Sequence, residues 1–180
     1  DSCINASLTL GDKYIVYPML NSKYHSYEGY KLLVKKLNQM VEKIEKSGLN
    51  FAYHNFGYDF NLYDRKMGLE WIIEETNPDW VKLQVDFYWV MRANKIMPKA
   101  LINLAQGRFK LWHIKDMDKI TKDYTELGYG SIDYAKVLPD PNISGLEYYY
   151  LEQGGNYKIN SMDSAKKSID FFKKNIQKLI

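Results

Sequence analysis

Five short apolar segments alternate with helical segments along this chain, and that alternation constrains its fold more than any other feature. The segments predicted as strands are 13–18, 50–55, 81–87, 109–114 and 146–152. Successive parallel strands need a crossover between them, which is usually a helix. The strand interiors are apolar on both faces, as in sheets that are covered on both sides. The 180 residues are therefore predicted to form one α/β domain, residues 1–180, around a parallel sheet.

The segments between the strands carry helical signals. Apolar residues recur at helical spacing from Leu33 to Ile44, and Gly48 follows as a C-cap. The other helices are predicted over 64–76, 97–106 and 131–138, followed by a last helix capped by Ser161 or Asp163. Residues 1–10 are predicted to be the end of a helix that precedes the first strand.

Composition excludes several classes of protein. Lys+Arg 25 and Asp+Glu 22 are interspersed, and a net charge of +3 is too small and too mixed for nucleic acid or an anionic membrane as partner. No run of about 18 apolar residues exists, so no membrane span is expected. The single cysteine excludes an internal disulfide framework. The chain begins at Asp1, before which a leader could have been removed, so cytoplasm and periplasm both stay open, as does the oligomeric state.

Polar side chains suited to metal binding or catalysis stand near the ends of four predicted strands: His54, Asp86, His113 and Glu152. In a barrel or doubly wound sheet, the carboxyl ends of the strands lie together and form the site. Along strand 109–114, alternation puts His113 and the following Lys115 on the same face as Leu111. The strand is therefore predicted to end in a site, not in solvent.

The chain contains five motifs whose order is informative: YHNFGYDF (53–60), LQVDFYWV (83–90), GRFKLWHIKDMDK (107–119), LGYGSIDYAKVL (127–138) and GLEYYYLEQ (145–153). With the helices between them, they resemble the sugar phosphate isomerase/epimerase family, the xylose-isomerase-like (β/α)8 barrels. The resemblance runs from about Gly11 to the end of the chain. It implies a TIM-barrel type fold of which this chain holds the C-terminal five βα units.

The resemblance also implies one divalent metal ion held at the strand ends. Carried over by position, the ligands are Asp86, His113 and Glu152, with His54 where many members of the family have a glutamate. The alternative for His54 is a hydrogen bond to the substrate. The expected ion is Mn²⁺, Co²⁺, Zn²⁺ or Mg²⁺. Ca²⁺ is disfavoured, because it prefers an all-oxygen shell and this set contains two imidazoles.

The implied chemistry is removal of a proton next to a sugar carbonyl. Glu152 is the predicted base, and Lys115 is predicted to stabilise an oxyanion or a leaving hydroxyl. His54 would have to serve as the second acid/base of an epimerase. The predicted substrate is a small carbohydrate whose ring packs on an aromatic wall made of Tyr53, Phe87, Tyr88 and Trp89. For Lys115 the alternative is an ion pair with Asp116, and residues 116, 118 and 119 are predicted to be a solvated loop.

Two features qualify the enzyme interpretation. A closed barrel has eight βα units and about 250 residues, so the first three units of the family are expected to lie in a missing N-terminal portion. No second carboxylate stands at position 54, which favours isomerase, lyase or dehydratase chemistry over epimerisation. A non-catalytic sugar-binding module stays open as an alternative. An endonuclease with three zinc ions on the same scaffold is excluded, because the chain has only 3 histidines.

Overall fold

The computed structural model describes all 180 residues, which form an α/β fold. Its strands are β1 (Tyr14–Tyr17), β2 (Asn50–His54), β3 (Leu62–Tyr63), β4 (Lys66–Met67), β5 (Val81–Asp86), β6 (Leu111–Ile114), β7 (Asp116–Met117), β8 (Tyr124–Thr125) and β9 (Tyr148–Leu151). Five of them form one parallel sheet in the order β1-β2-β5-β6-β9. The prediction of five parallel strands that neighbour one another in chain order is confirmed.

The helices lie between these strands. They are α1 (Ser2–Leu10), α2 (Tyr27–Lys46), α3 (Gly68–Glu75), α4 (Phe87–Ala93), α5 (Pro98–Asn103), α6 (Tyr134–Val137), α7 (Pro141–Ser144) and α8 (Ser161–Asn175). Short 3-10 turns add Ser22–Tyr24, Gly57–Phe60 and Gln177–Leu179. None of the helices combines the length and the apolar character that crossing a bilayer requires.

The sheet curls into a partial barrel. Its edge strands β1 and β9 have no partner on their outer sides. The Tyr14 hydroxyl nevertheless donates to Glu147 at 2.7 Å, and the Tyr14 ring lies edge-on to Tyr148 with the centroids 6.2 Å apart. Residues at the starts of the two edge strands therefore meet across the concave side of the sheet.

The hydrophobic core lies between the convex face of the sheet and the helices. Alternation along β5 and β6 directs Val85 and Trp112 to this side, where both are fully buried. The Trp112 indole also donates to Ser144 at 2.8 Å, so its polar atom is satisfied inside the core. The concave face is left for the polar residues at the ends of the strands.

Several helix boundaries differ from the prediction for local reasons. The helix predicted from residue 64 begins at Gly68, because Asp64 and Arg65 have positive φ and form the turn of the β3–β4 hairpin. The last helix is capped by Asn160, whose side chain accepts from the Asp163 amide, and not by Ser161 or Asp163. Helix α4 was not predicted, since its apolar sequence reads as a continuation of strand β5.

Asp116 is buried, so the prediction of a solvated loop is wrong for this residue. It is 2% exposed, and its carboxylate accepts from four backbone amides, those of Met117, Gly128, Gly130 and Ile132. An ionised carboxylate that accepts several amide hydrogen bonds needs no basic partner. Asp116 therefore fixes the loop that follows β8 beneath the rim of the sheet.

Replacing Asp116 with Asn is expected to destabilise the protein by about 2–5 kcal/mol, because an amide nitrogen would face N–H donors that now point at a carboxylate oxygen. Urea unfolding followed by circular dichroism measures the change. Asp118→Asn is the matched control: this partly exposed carboxylate also accepts from two backbone amides, of Ile120 and Thr121, but solvent can replace it. Equal loss of stability in both variants would contradict the assignment of Asp116 as the residue that fixes this loop.

Candidate metal centre

The residues predicted at the strand ends meet on the concave side of the sheet. His54 and Asp86 are the last residues of β2 and β5, and His113 lies in β6 directly opposite Asp86. Glu152 follows the last residue of β9. Because the strands are parallel and in register, the geometry of the sheet alone brings these four side chains to one rim.

The two oxygens of Asp86 have separate roles. Oδ1 accepts from the amides of Tyr88 at 3.0 Å and Trp89 at 3.3 Å, and so caps helix α4. The backbone of Asp86 is in turn fixed by Asn55, whose side chain accepts from the Asp86 amide at 2.9 Å. Oδ2 points to the rim and is completely buried without a hydrogen bond. Asp86 is thus oriented by the scaffold, with Oδ2 directed at the rim.

Three side chains are placed as a metal centre requires. Nε2 of His54 lies 3.1 Å from Nδ1 of His113. Oδ2 of Asp86 lies 3.3 Å from the first nitrogen and 3.7 Å from the second. Ligand atoms held about 2.1 Å from one ion in tetrahedral or octahedral geometry are separated by about 3.0–3.4 Å. Two of the three separations lie in this range and the third is slightly longer, so the group is able to hold a divalent ion; all three ligand atoms lie within 4.8 Å of one another.

Glu152 lies beside this group, at the end of the neighbouring strand β9. Its Oε2 is 2.9 Å from Nδ1 of His113 and 3.0 Å from Nζ of Lys115. Lys115 is buried, and its Nζ also lies 2.7 Å from Oδ2 of Asp86, although not in hydrogen-bond geometry. The expected alternative, an ion pair between Lys115 and Asp116, does not occur, because Lys115 contacts the two carboxylates of the site.

These contacts shift the pKa values of the charged side chains in the cluster. Burial raises the pKa of Asp86, but His113, His54 and Lys115 outweigh it and hold that pKa well below its usual range. The hydrogen bond from His113, assisted by Lys115, lowers the pKa of Glu152 to about 2. Burial opposes the charged form of Lys115, yet Asp86 and Glu152 raise its pKa. At neutral pH the site therefore holds two carboxylates and one ammonium group.

A cavity of about 350 Å³ opens above the cluster, a size typical of small-ligand sites. Besides the charged residues it is lined by Val16, Pro18, Phe56, Gln84 and Tyr150. Gln84 and Tyr150 were not predicted as site residues, although alternation along β5 and β9 places them on the faces of Asp86 and Glu152. A larger cavity, about 580 Å³, lies away from the cluster beside α5 and α7.

The predicted aromatic wall is not assembled as expected. Tyr53 is 1% exposed on the convex side of β2, where its hydroxyl donates to Asp59 at 2.8 Å. Phe87 is buried against Trp112. The fully buried Tyr88 donates to the Lys122 carbonyl. Of the four, Trp89 alone approaches the cavity, through Phe56, whose ring centroid is 5.1 Å away.

Comparison with solved structures shows where this fold recurs. A sugar phosphate isomerase/epimerase from Parabacteroides distasonis superposes with a TM-score of 0.79 at 23% identity over 96% of this chain. The IOLI protein, solved with a zinc atom, gives 0.75 at 18% identity over 99% of this chain and 68% of its own. The probable 3-DHS dehydratase AsbF from Bacillus anthracis gives 0.73 at 11% identity over 97% of this chain and 68% of its own.

The match to the Parabacteroides protein covers 61% of that protein's length. Among curated proteins, none matches this sequence significantly. The model of one protein family, the xylose isomerase-like TIM barrel, matches residues 1–175. That match takes in the sheet, the cluster at its rim and all of α8. The chain belongs to the xylose isomerase-like TIM barrel family.

Proposed function

We propose that this protein is a metal-dependent carbohydrate enzyme of the isomerase/epimerase type, which removes a proton next to a sugar carbonyl. The observation that carries the proposal is the convergence, at one cavity, of three metal-ligand atoms with a carboxylate and an ammonium group. A structural ion-pair network does not require two imidazoles and a free carboxylate oxygen around one point. Convergent groups of this kind are the signature of a catalytic site.

His54, Asp86 and His113 would hold the ion. A divalent ion there supplies a Lewis acid that polarises the sugar carbonyl and a neighbouring hydroxyl. Glu152, at the opening of the cavity, takes the proton from the carbon next to the carbonyl. Lys115 donates a hydrogen bond to the oxygen on which negative charge develops. When the Lys115 ammonium group turns from Glu152 toward that oxygen, Glu152 loses a positive neighbour and becomes more basic.

The cavity supports a single small carbohydrate ring as substrate. Phe56 and Tyr150 offer aromatic surface on two sides of it, and Trp89 extends that surface beyond Phe56. Gln84 adds a side chain that both donates and accepts hydrogen bonds, which suits a row of hydroxyl groups.

A lyase or dehydratase reaction is the second candidate, because the cavity offers one free base. Asp86 is enclosed by its capping contacts, and His54 has its Nε2 directed at the metal position. An epimerase needs an acid/base on each side of the carbon, whereas elimination or transfer to a neighbouring oxygen needs one. The dehydratase from Bacillus anthracis shares this fold.

Proton exchange tests the proposal directly. The protein is incubated in D₂O with Mn²⁺, Co²⁺, Zn²⁺ or Mg²⁺ and a panel of ketoses and their phosphates, and deuterium at the carbon next to the carbonyl is followed by NMR. We expect metal-dependent exchange with at least one sugar, with loss of a hydroxyl if the lyase candidate is correct. Binding without exchange across the panel would instead favour a non-catalytic sugar-binding module.

A further inference from the structure

Gln84 is a buried polar residue whose side chain has no partner in the protein. It is 4% exposed and lines the cavity above the cluster, yet its side-chain amide takes part in no hydrogen bond with another protein group. Buried polar side chains are normally hydrogen-bonded. The nearby Asn55 follows this rule, because it accepts from the Asp86 amide and donates to the Asp86 carbonyl. The Gln84 amide is therefore available to a ligand in the cavity.

The position of Gln84 follows from the register of the sheet. It lies opposite His54 of β2 and Leu111 of β6, and its side chain points to the concave face two residues before Asp86. Two residues along a strand correspond to about 6.6 Å. Gln84 thus lies one layer below the Asp86 carboxylate, at a part of the cavity that Val16 of β1 also lines. A sugar whose carbonyl is held at the metal position would therefore present another part of its ring or chain to the Gln84 amide.

No free lysine or arginine lines the cavity. Lys115 is the one such residue there, and its ammonium group contacts the carboxylates of Asp86 at 2.7 Å and Glu152 at 3.0 Å. A phosphate group buried beside Gln84 would lack the charged donors that offset its desolvation. A hydroxyl group both donates and accepts, and a glutamine amide supplies a partner for each role. The surroundings of Gln84 therefore suit an uncharged hydroxyl group.

We propose that Gln84 is a specificity-determining residue, whose side-chain amide binds one uncharged hydroxyl group of the sugar. The inference rests on the proposed function for the carbohydrate nature of the substrate, but it is tested by binding and does not require turnover. It deepens that function by naming the substrate class: a sugar that carries no phosphate at the position held by Gln84.

The test compares the affinity of a ketose with the affinities of its monodeoxy and monophosphate analogues. Isothermal titration calorimetry with saturating Mn²⁺ is carried out first with D-fructose, D-sorbose, D-tagatose and D-allulose, and then with the analogues of the tightest ligand. In the native protein, we expect loss of one hydroxyl group to weaken binding about tenfold, and a phosphate ester on the same oxygen to weaken it at least as much. Gln84→Met keeps the length of the side chain without its hydrogen-bonding groups, and it should bind the ketose and that deoxy analogue equally.

Gln106→Met is the matched control. Gln106 is exposed, donates to Asn103 and precedes β6, at the opposite end of the sheet from the rim. This variant should bind every sugar as the native protein does. The Mn²⁺ affinity of Gln84→Met should also stay native, because Gln84 is not a member of the ligand group. If circular dichroism shows that Gln84→Met does not fold, Gln84→Leu takes its place.

The outcomes separate this inference from the proposed function. Equal native affinity for the ketose and all its monodeoxy analogues would overturn the inference, as would unchanged discrimination in Gln84→Met, tighter binding of the phosphate ester, or no binding of any of the four ketoses. If binding depends on Gln84 as expected but no sugar exchanges its proton in D₂O, the proposed function fails while the assignment of Gln84 stands. Exchange together with unchanged discrimination in Gln84→Met gives the reverse result.

Discussion

Glu152→Gln is expected to slow proton exchange at the sugar carbon by about 10²–10⁴-fold, the contribution typical of a positioned general base. The amide has nearly the shape of the carboxylate and can still accept from Lys115, but it cannot take up a proton at neutral pH. Exchange of the carbon-bound proton, measured by NMR in D₂O, reports this step even where later steps are slow. Metal content should stay at about one ion per chain.

The control for this variant is Glu147→Gln. Glu147 directly precedes β9, contacts Lys110 and Tyr14, and lies at the opposite end of the strand from the rim. The Glu147→Gln substitution should therefore leave the exchange rate unchanged. If Glu152→Gln retained the native exchange rate with its metal still bound, another group would have to be the base, and the role assigned to Glu152 would be wrong.

Asp86→Asn is expected to abolish metal binding and to destabilise the protein by about 3–5 kcal/mol, because it leaves the buried Lys115 ammonium with one carboxylate fewer. The asparagine oxygen can still cap α4 through the amides of Tyr88 and Trp89, so the change isolates the charge of the free oxygen. Metal analysis after incubation with Mn²⁺, Co²⁺ and Zn²⁺ and urea unfolding measure the two effects.

Asp140→Asn is the matched control, since Asp140 caps α7 in the same way but is exposed and distant from the cluster. It should keep the metal and lose little stability. Stoichiometric metal in Asp86→Asn would exclude Asp86 as a ligand. A further substitution, Asp86→Ala, removes the cap as well, and its additional loss of stability measures the contribution of that cap, about 0.5–2 kcal/mol.

The rim of the sheet could be predicted because it follows from chain order and alternation alone. His54, Asp86 and His113 converge since parallel strands end at one edge, and this requires no knowledge of the loops. Tyr53 was misplaced although the same rule applies: a neighbour of His54 in a strand must point to the other face.

The features that were missed depend on contacts between distant residues. The burial of Asp116 arises from amides twelve to sixteen positions later, and nothing local distinguishes it from the partly exposed Asp118. Helix α4 was missed because Asp86 is at once the end of a strand and the cap of a helix. An N-cap residue type directly before an apolar run was the available signal.

The two oxygens of Asp86 have different partners, and this difference limits how its carboxylate could bind an ion. Because α4 holds Oδ1, only Oδ2 would be available to an ion. In the proposed function, His54, Asp86 and His113 would then supply one donor atom each, and oxygen atoms of a sugar could complete the set without displacing a protein group. Helix capping would thus set how many donor atoms Asp86 offers.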